Sequence, residues 1–301
     1  MSFWRAAPLL LGLVGCVGSR EDAGATTADL ESQRVCGLDP SLPSSPRALL
    51  ATKFTDTLDA ETRLVCLTTM LDAQHDHRAP FAALYTNTTK EVRKGIAAGR
   101  FDDAVYGSDL LTEFAELYRV GFVGYVDRAP IAGAWQVAFD AAKASDDAHA
   151  QGRPDDVLSL QHVALGVNAH VNHDLAHAVA TVTLEGGALA SRKHDYDVVR
   201  SILEEIVTGS FDLVIADYAP KLAMTPAALR AALADVFLVW LLAGREKAWL
   251  DGLLLLEGGL LASITAASVE FTSKEMAKGI LLGNGLAPDL FAALKKLEGG
   301  S

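Results

Sequence analysis

Residues 158–184, LSLQHVALGVNAHVNHDLAHAVATVTL, repeat their apolar side chains at three- and four-residue spacing without a proline or a run of alternation. That period is the signature of one face of an α-helix. Read outward from this stretch, the chain after position 46 keeps the same period, rich in alanine and leucine, and few segments alternate with period two over any length. The expected fold is therefore all-α, a multi-helix bundle of one domain, with the 158–184 stretch near its centre because it carries few long charged side chains. Helices are expected near 46–52, 60–74, 78–97, 108–125, 129–149, 155–184, 194–217, 225–243, 245–267, 273–281 and 287–297. Thr225-Pro226 reads as a cap with proline at the first helical position, Gly186-Gly187 as a stop, and Pro154 as the opening of the central helix.

The most apolar part of that bundle is Ala231–Ala243, continuing after Arg245-Glu246-Lys247 into Trp249–Leu256. Asp235, Arg245, Glu246, Lys247, Asp251 and Glu257 interrupt it, which favours a pair of core helices over a membrane hairpin.

The central helix is unusual in its polar content. On a wheel of about 100° per residue, His170, His173, Asp174 and His177 share one stripe. Asn168 and Asn172 fall nearly opposite, and Val167, Val171 and Leu175 form an apolar stripe between them. A buried polar group without a partner costs about 1–3 kcal/mol, so such residues either satisfy one another or serve a ligand. His173-Asp174-Leu175-Ala176-His177 is an H-D-x-x-H string whose two histidines, one turn apart, suit a divalent metal such as zinc or iron. It is similar to the H-E-x-x-H of zinc peptidases, with a shorter aspartate in the general-base position. The pair His170 and Asp174 offers the same spacing, as ligands or as an acid/base couple. Either reading needs a second helix, with candidates in Asp72, His75, Asp76 and His77, in Asp109 or Glu113, in His194 and Asp195, and in Glu204-Glu205. Glu113 and Glu116 read more simply as an exposed face, and the 72–77 cluster as a solvated turn before Pro80. No G-x-S-x-G elbow, P-loop or C-x-x-C pair occurs, and Gly279–Gly285 lacks the setting of a dinucleotide site.

The ends and the charge set the location. The opening MSFWRAAPLLLGLVGCVGSRED has one arginine, a short apolar run and a Leu13-Val14-Gly15-Cys16 string that resembles a bacterial lipobox. Residues 1–15 are thus expected to be a lipoprotein signal peptide, 16–46 a polar tether lipidated at Cys16, and 47–301 the helical domain. This predicts an exported protein, held by lipid on the membrane of the bacterial cell envelope. In that oxidising setting Cys36 and Cys66 are candidates for a disulfide pinning the tether to the domain. A net charge of −12 without a basic run excludes nucleic acid as a partner. A small molecule or lipid remains a candidate ligand, and the oligomeric state is open.

The string ALGVNAHVNHDLAHAV is similar to the signature of a bacterial helical family catalogued as a domain of unknown function, N-A-H-I-N-(H or Y)-D-L. Arg100-Phe101-Asp102, FAELY at 114–118, Ala134-Trp135, His194-Asp195-Tyr196 and Arg245-Glu246-Lys247-Ala248-Trp249 also resemble it, spanning residues about 60–260. The resemblance implies a site of Asn168, His170, Asn172 and Asp174, since the family accepts tyrosine at the place of His173. It implies no reaction. Two functions follow as expectations: a metal-assisted hydrolase or oxygenase in which the asparagines orient substrate, or a non-catalytic binding lipoprotein whose polar stripe is structural.

Overall fold

The computed structural model describes residues 36, 43–183, 189–283, 292 and 294–296. The expected signal peptide, Cys16, most of the tether, the Gly186-Gly187 stop and most of the 287–297 helix lie outside them. Among the described residues every regular element is helical, as the period predicts. In chain order they are α1 (Pro46–Leu49), α2 (Thr57–Ala73), α3 (Ala79–Ala97), α4 (Ala104–Val126), α5 (Gly133–Ala150), α6 (Ser159–Ala169), a π-helical turn (His170–Asp174), α7 (Leu175–Thr183), α8 (Leu189–Tyr218), α9 (Pro220–Ala223), α10 (Ala227–Leu256) and α11 (Gly259–Leu281).

Local chemistry sets several starts. Asp56 caps α2 by accepting the amides of Leu58 and Asp59, and Asp103 caps α4 through Val105 and Tyr106. The central helix opens at Ser159 rather than at Pro154, because the Gln161 side chain takes the Leu158 amide. Thr225 does not cap α10; its hydroxyl bonds back to the Leu222 carbonyl, and Pro226 stands outside the first turn. The expected break at Gly244 is absent. The chain turns instead at Gly258 and Gly259, both at positive φ, where a side chain would be strained.

The continuous rod formed by α6, the π turn and α7 runs through the middle of the bundle. α3, α5 and α11 pack on α6, α4 and α10 on α7, and α4, α10 and α11 on the π turn between them. Close approach is made possible by glycines: a Cβ on Gly244 would stand 2.8 Å from Asn172 Oδ1, and one on Gly252 would stand 2.6 Å from Val179 Cγ1. Gly244 therefore serves packing rather than termination.

The polypeptide before α2 is fastened down. Arg63 donates to the carbonyls of Leu49 and Thr52, Arg119 to that of Leu50, and buried Glu116 accepts the Phe54 amide. Glu116 is thus part of the interior, not of an exposed face. Cys36 and Cys66 are joined as a disulfide, which ties the leader to α2.

The exterior half of the molecule is formed by α10 and α11. α10 is long and apolar enough to cross a membrane by length and composition alone, over an 18-residue window. Only 22% of that window is buried, with Val236 and Val239 exposed, so it is not the core helix that its sequence predicts.

Candidate active site

The π turn decides the geometry of the polar string. In it the Leu175 amide bonds to the carbonyl of His170, five residues back, which widens the helix by one residue over 170–174. A uniform α-helical wheel fails here. His170 does not share a face with His173 and His177 apart from the apolar stripe; it lines the same cavity as Val167, Val171 and Leu175.

Asp174 is the hub. Its Oδ2 accepts the Trp135 indole N–H at 2.8 Å and His170 Nδ1 at 3.1 Å, and its Oδ1 accepts His173 Nδ1 at 2.8 Å. Burial alone would raise the Asp174 carboxyl, but the hydrogen bonds from the two imidazoles carry it below the ordinary carboxylate range. Asp174 is therefore an anion, and an anion only accepts, so both histidines donate from Nδ1.

The two imidazoles are shifted in opposite directions. Burial pushes His170 down and outweighs the attraction of Asp174, which leaves it neutral. Burial also opposes a charge on His173, but Asp174 and Glu270, whose Oε2 stands 3.3 Å from His173 Nε2, more than offset it. His173 thus stands between two carboxylates that favour its protonated form. Glu270 Oε1 accepts the Gly133 amide, so this ion pair also joins α11 to the start of α5. His177 leans on the His173 ring at 5.0 Å, and its own pKa is lowered by burial and by that neighbouring positive charge.

Neutral His170 with Nδ1 protonated has a lone pair on Nε2. That atom is buried and has no partner. The ring is stacked on Phe114 at 3.4 Å and meets Tyr85 edge-on at 4.4 Å, with Phe81, Tyr118 and Trp135 at about 6 Å. This cage fixes the ring against rotation, and it forms one end of a cavity of about 90 Å³ between α3, α4, the central rod, α8 and α10.

The asparagines do something else. Asn168 Nδ2 donates to the Ser273 carbonyl at 2.8 Å, and Asn172 Nδ2 donates to Asn168 Oδ1 and lies 3.5 Å from Met276 Sδ. Both are buried, neither lines the cavity, and together they bolt the rod to α11. The substrate-orienting role expected of them is not where they stand.

A metal reading of the string meets the same geometry. The inner nitrogens of His170 and His173 are both spent on Asp174, while their outer nitrogens lead apart, one to the cavity and one to Glu270. Among the described residues no three His, Cys, Asp or Glu side chains converge on a point an ion could occupy. Neither expected pair, His173 with His177 or His170 with Asp174, is joined by a further His, Cys, Asp or Glu into a group of three that could hold an ion among the described residues.

The second-helix candidates are engaged elsewhere. Asp76 pairs with Arg78, Glu113 approaches Lys53, Glu205 takes Arg100, and Asp195 accepts the amides of Asp102 and Asp103. His77 bonds Asp146 at 2.6 Å beside Asp155, in a separate polar group that includes Ser145 and His162. His75, at a positive φ, and Asp72 sit on the exposed rim of a polar hollow with His149 and Tyr218.

What reaches Asp174 and His170 from other helices is instead Trp135, Phe114 and Tyr85. These are aromatic positions that a search for ionisable side chains passes over, although Trp135 and Phe114 stand in strings that carry the family resemblance. A family model matches residues 59–282, from inside α2 to just past α11. The chain belongs to this family of unknown function, DUF5995. The match takes in the whole site, from the aromatic cage on α3 and α4 to Glu270 and Ser273 on α11. No curated protein and no solved structure matches the chain.

Proposed function

We propose that this DUF5995 chain binds a small, largely apolar molecule in the His170 cavity and uses His170 Nε2 as a proton acceptor toward it. The observation that carries this is a buried imidazole nitrogen that has no partner among the described residues, on a side chain that lines a cavity, while its other nitrogen is held by a carboxylate. An acceptor in an apolar wall costs about 1–3 kcal/mol unless something donates to it, and no group among the described residues does. A neutral imidazole oriented by a buried aspartate is the arrangement of a general base, with Asp174 fixing the tautomer and stabilising the imidazolium that forms on proton uptake. His173, with its protonated form favoured on the same carboxylate, limits how much further charge Asp174 can compensate and keeps the base weak. That suits a substrate with an O–H or N–H to be polarised rather than a strongly basic task. The reading rests on acid/base chemistry rather than metal assistance, because no third ligand joins either expected pair among the described residues.

The location proposed with it is the bacterial cell envelope, on the strength of the Leu13-Val14-Gly15-Cys16 string and the polar leader. The test of the site compares hexane with 1-hexanol, which differ by one donor, by ligand-observed NMR on the native protein and on His170→Phe. The expected result is a preference for the alcohol of about tenfold, the worth of one buried hydrogen bond, that disappears in the variant. Equal binding of the two by the native protein overturns the reading.

A further inference from the structure

The cavity has a second unspent polar group at a distance from the dyad along its wall. Arg245, on α10, is buried and lines it together with His170. Its Nη2 donates to the Tyr196 carbonyl at 3.0 Å, and its guanidinium lies 4.4 Å over the Tyr196 ring, whose hydroxyl returns a bond to the Arg245 carbonyl. These contacts orient the side chain without neutralising it. Its Nε is buried with no partner, and no carboxylate among the described residues lies within ion-pair distance of it.

The contrast with the other buried arginines is direct. Arg63 pairs with Asp59 and Arg192 with Asp103. Asp195, the buried carboxylate on α8, has both oxygens on the amides of Asp102 and Asp103. A buried, uncompensated guanidinium is among the most costly groups a fold can hold, and its five N–H donors match a carboxylate in a planar fork.

The rest of the wall is aliphatic and aromatic: Leu110, Leu111, Leu203, Ile206 and Val207 are typical. Thr88 and Ser210 also line it; Thr88 donates to its own helix, and Ser210 accepts from Asn87 and keeps its own O–H as a second, uncharged donor to a ligand head. Tyr85, beside His170, has a buried hydroxyl without a partner.

Resting on the reading of His170 as an acceptor for a bound small molecule, we infer that the ligand is an anion, a compact, largely apolar carboxylate whose head is clamped by Arg245 and whose far end carries the O–H or N–H that meets His170 Nε2. Arg245 supplies the missing counter-charge pairing only when the ligand is present.

The experiment extends the same ladder by one rung, from 1-hexanol to hexanoate, with titrations on the native protein, Arg245→Met, Arg245→Lys and His170→Phe at neutral pH. Native protein is expected to prefer hexanoate to 1-hexanol by at least tenfold. Arg245→Met is expected to lose that preference, Arg245→Lys to keep part of it, and His170→Phe to keep it. Equal binding of hexanoate and 1-hexanol by native protein, or a preference that survives Arg245→Met, overturns the anion assignment. In that event a hexanol-over-hexane preference that depends on His170 leaves the acceptor reading standing. Binding of hexanoate with no hexanol-over-hexane preference does the reverse. If Arg245→Met does not fold, the Lys variant decides: full retention of tenfold selectivity without a fork-shaped donor and with no change in affinity would contradict the clamp.

Discussion

At the scale of single residues, Asp174 is the group whose loss should be felt most. Three donors converge on its carboxylate, one of them His173, whose protonated form it favours. Asp174→Ala leaves two buried imidazoles and an indole N–H without this acceptor, and a cost of about 3–5 kcal/mol is expected in urea unfolding. Trp135→Phe removes one donor to a charged acceptor and keeps the ring, so about 1.5–3 kcal/mol is expected. If Asp174→Ala cost less than Trp135→Phe, the carboxylate would not be the hub. His162 gives a pH prediction. Burial, followed by the neighbouring His77, pushes it down to about 4, and its Nδ1 has no partner. A folded-state pKa below the unfolded value of about 6.5 contributes stability that is complete above pH ~6.5 and is lost as pH falls toward 4. His162→Gln should therefore flatten the fall in stability between those values, measured by denaturant midpoints. His77 works in the opposite sense, because Asp146 and Asp155 outweigh its burial and raise it, so its contribution is present at low pH and lost as pH rises through its folded value.

At the scale of elements, the central rod depends on its π turn and on the glycines that let neighbours close on it. A Cβ on Gly166 would stand 2.2 Å from Phe81 Cγ, and Phe81 belongs to the cage around His170. Gly166→Ala is expected to cost about 1–3 kcal/mol by overpacking and to disturb the His170 ring, read as a shift of its NMR signals beyond those of a remote control such as Gly209→Ala, where a Cβ meets nothing. What could be read from sequence divides along the same line. The three- and four-residue period gives the helices up to Tyr218, because burial on one face is written in the order of side chains, whereas the expected 225–243, 245–267 and 273–281 are two helices, Ala227–Leu256 and Gly259–Leu281. Gly244 misleads, since a glycine needed for close approach looks the same as one that ends a helix. The π turn cannot be read at all from a uniform 100° wheel. His170 lines the cavity with Val167, Val171 and Leu175, while His173, on the other oxygen of the same Asp174, faces Glu270. The partners of the polar string were hidden because they are aromatic and come from helices far away in the chain, although Trp135, Phe114, Tyr196 and Arg245 all stand in the short strings that resemble the family.

At the scale of the whole molecule, the bundle divides into a closed side, where α2 to α7 bury the dyad and its cage, and an open side on α10 and α11. Val239 is 70% exposed, Phe271 64% and Leu260 77%. Replacing Val239 with lysine should change stability by no more than about 0.5 kcal/mol, since nothing packs on it within the chain, and a loss of several kcal/mol in urea would show that this face is part of the core. The cavity sits between the two sides, with the dyad on the rod and Arg245 on α10. Its position lets a ligand bridge the inner and outer halves of the bundle, so occupancy should stabilise the fold in proportion to affinity.

The central claim is that His170 is a neutral, Nδ1-protonated imidazole whose Nε2 is free on a cavity. Long-range proton–nitrogen correlation spectra of histidine-labelled protein, recorded from pH 8 to pH 5, test it most directly. The account predicts an unprotonated Nε2 and a protonated Nδ1 for His170 at neutral pH, with the second proton taken up only below the ordinary histidine value, while His173 keeps both protons to a pH above it. A His170 that carries its proton on Nε2 at neutral pH, or that gains its second proton at or above the ordinary histidine value of about 6.5, would contradict it.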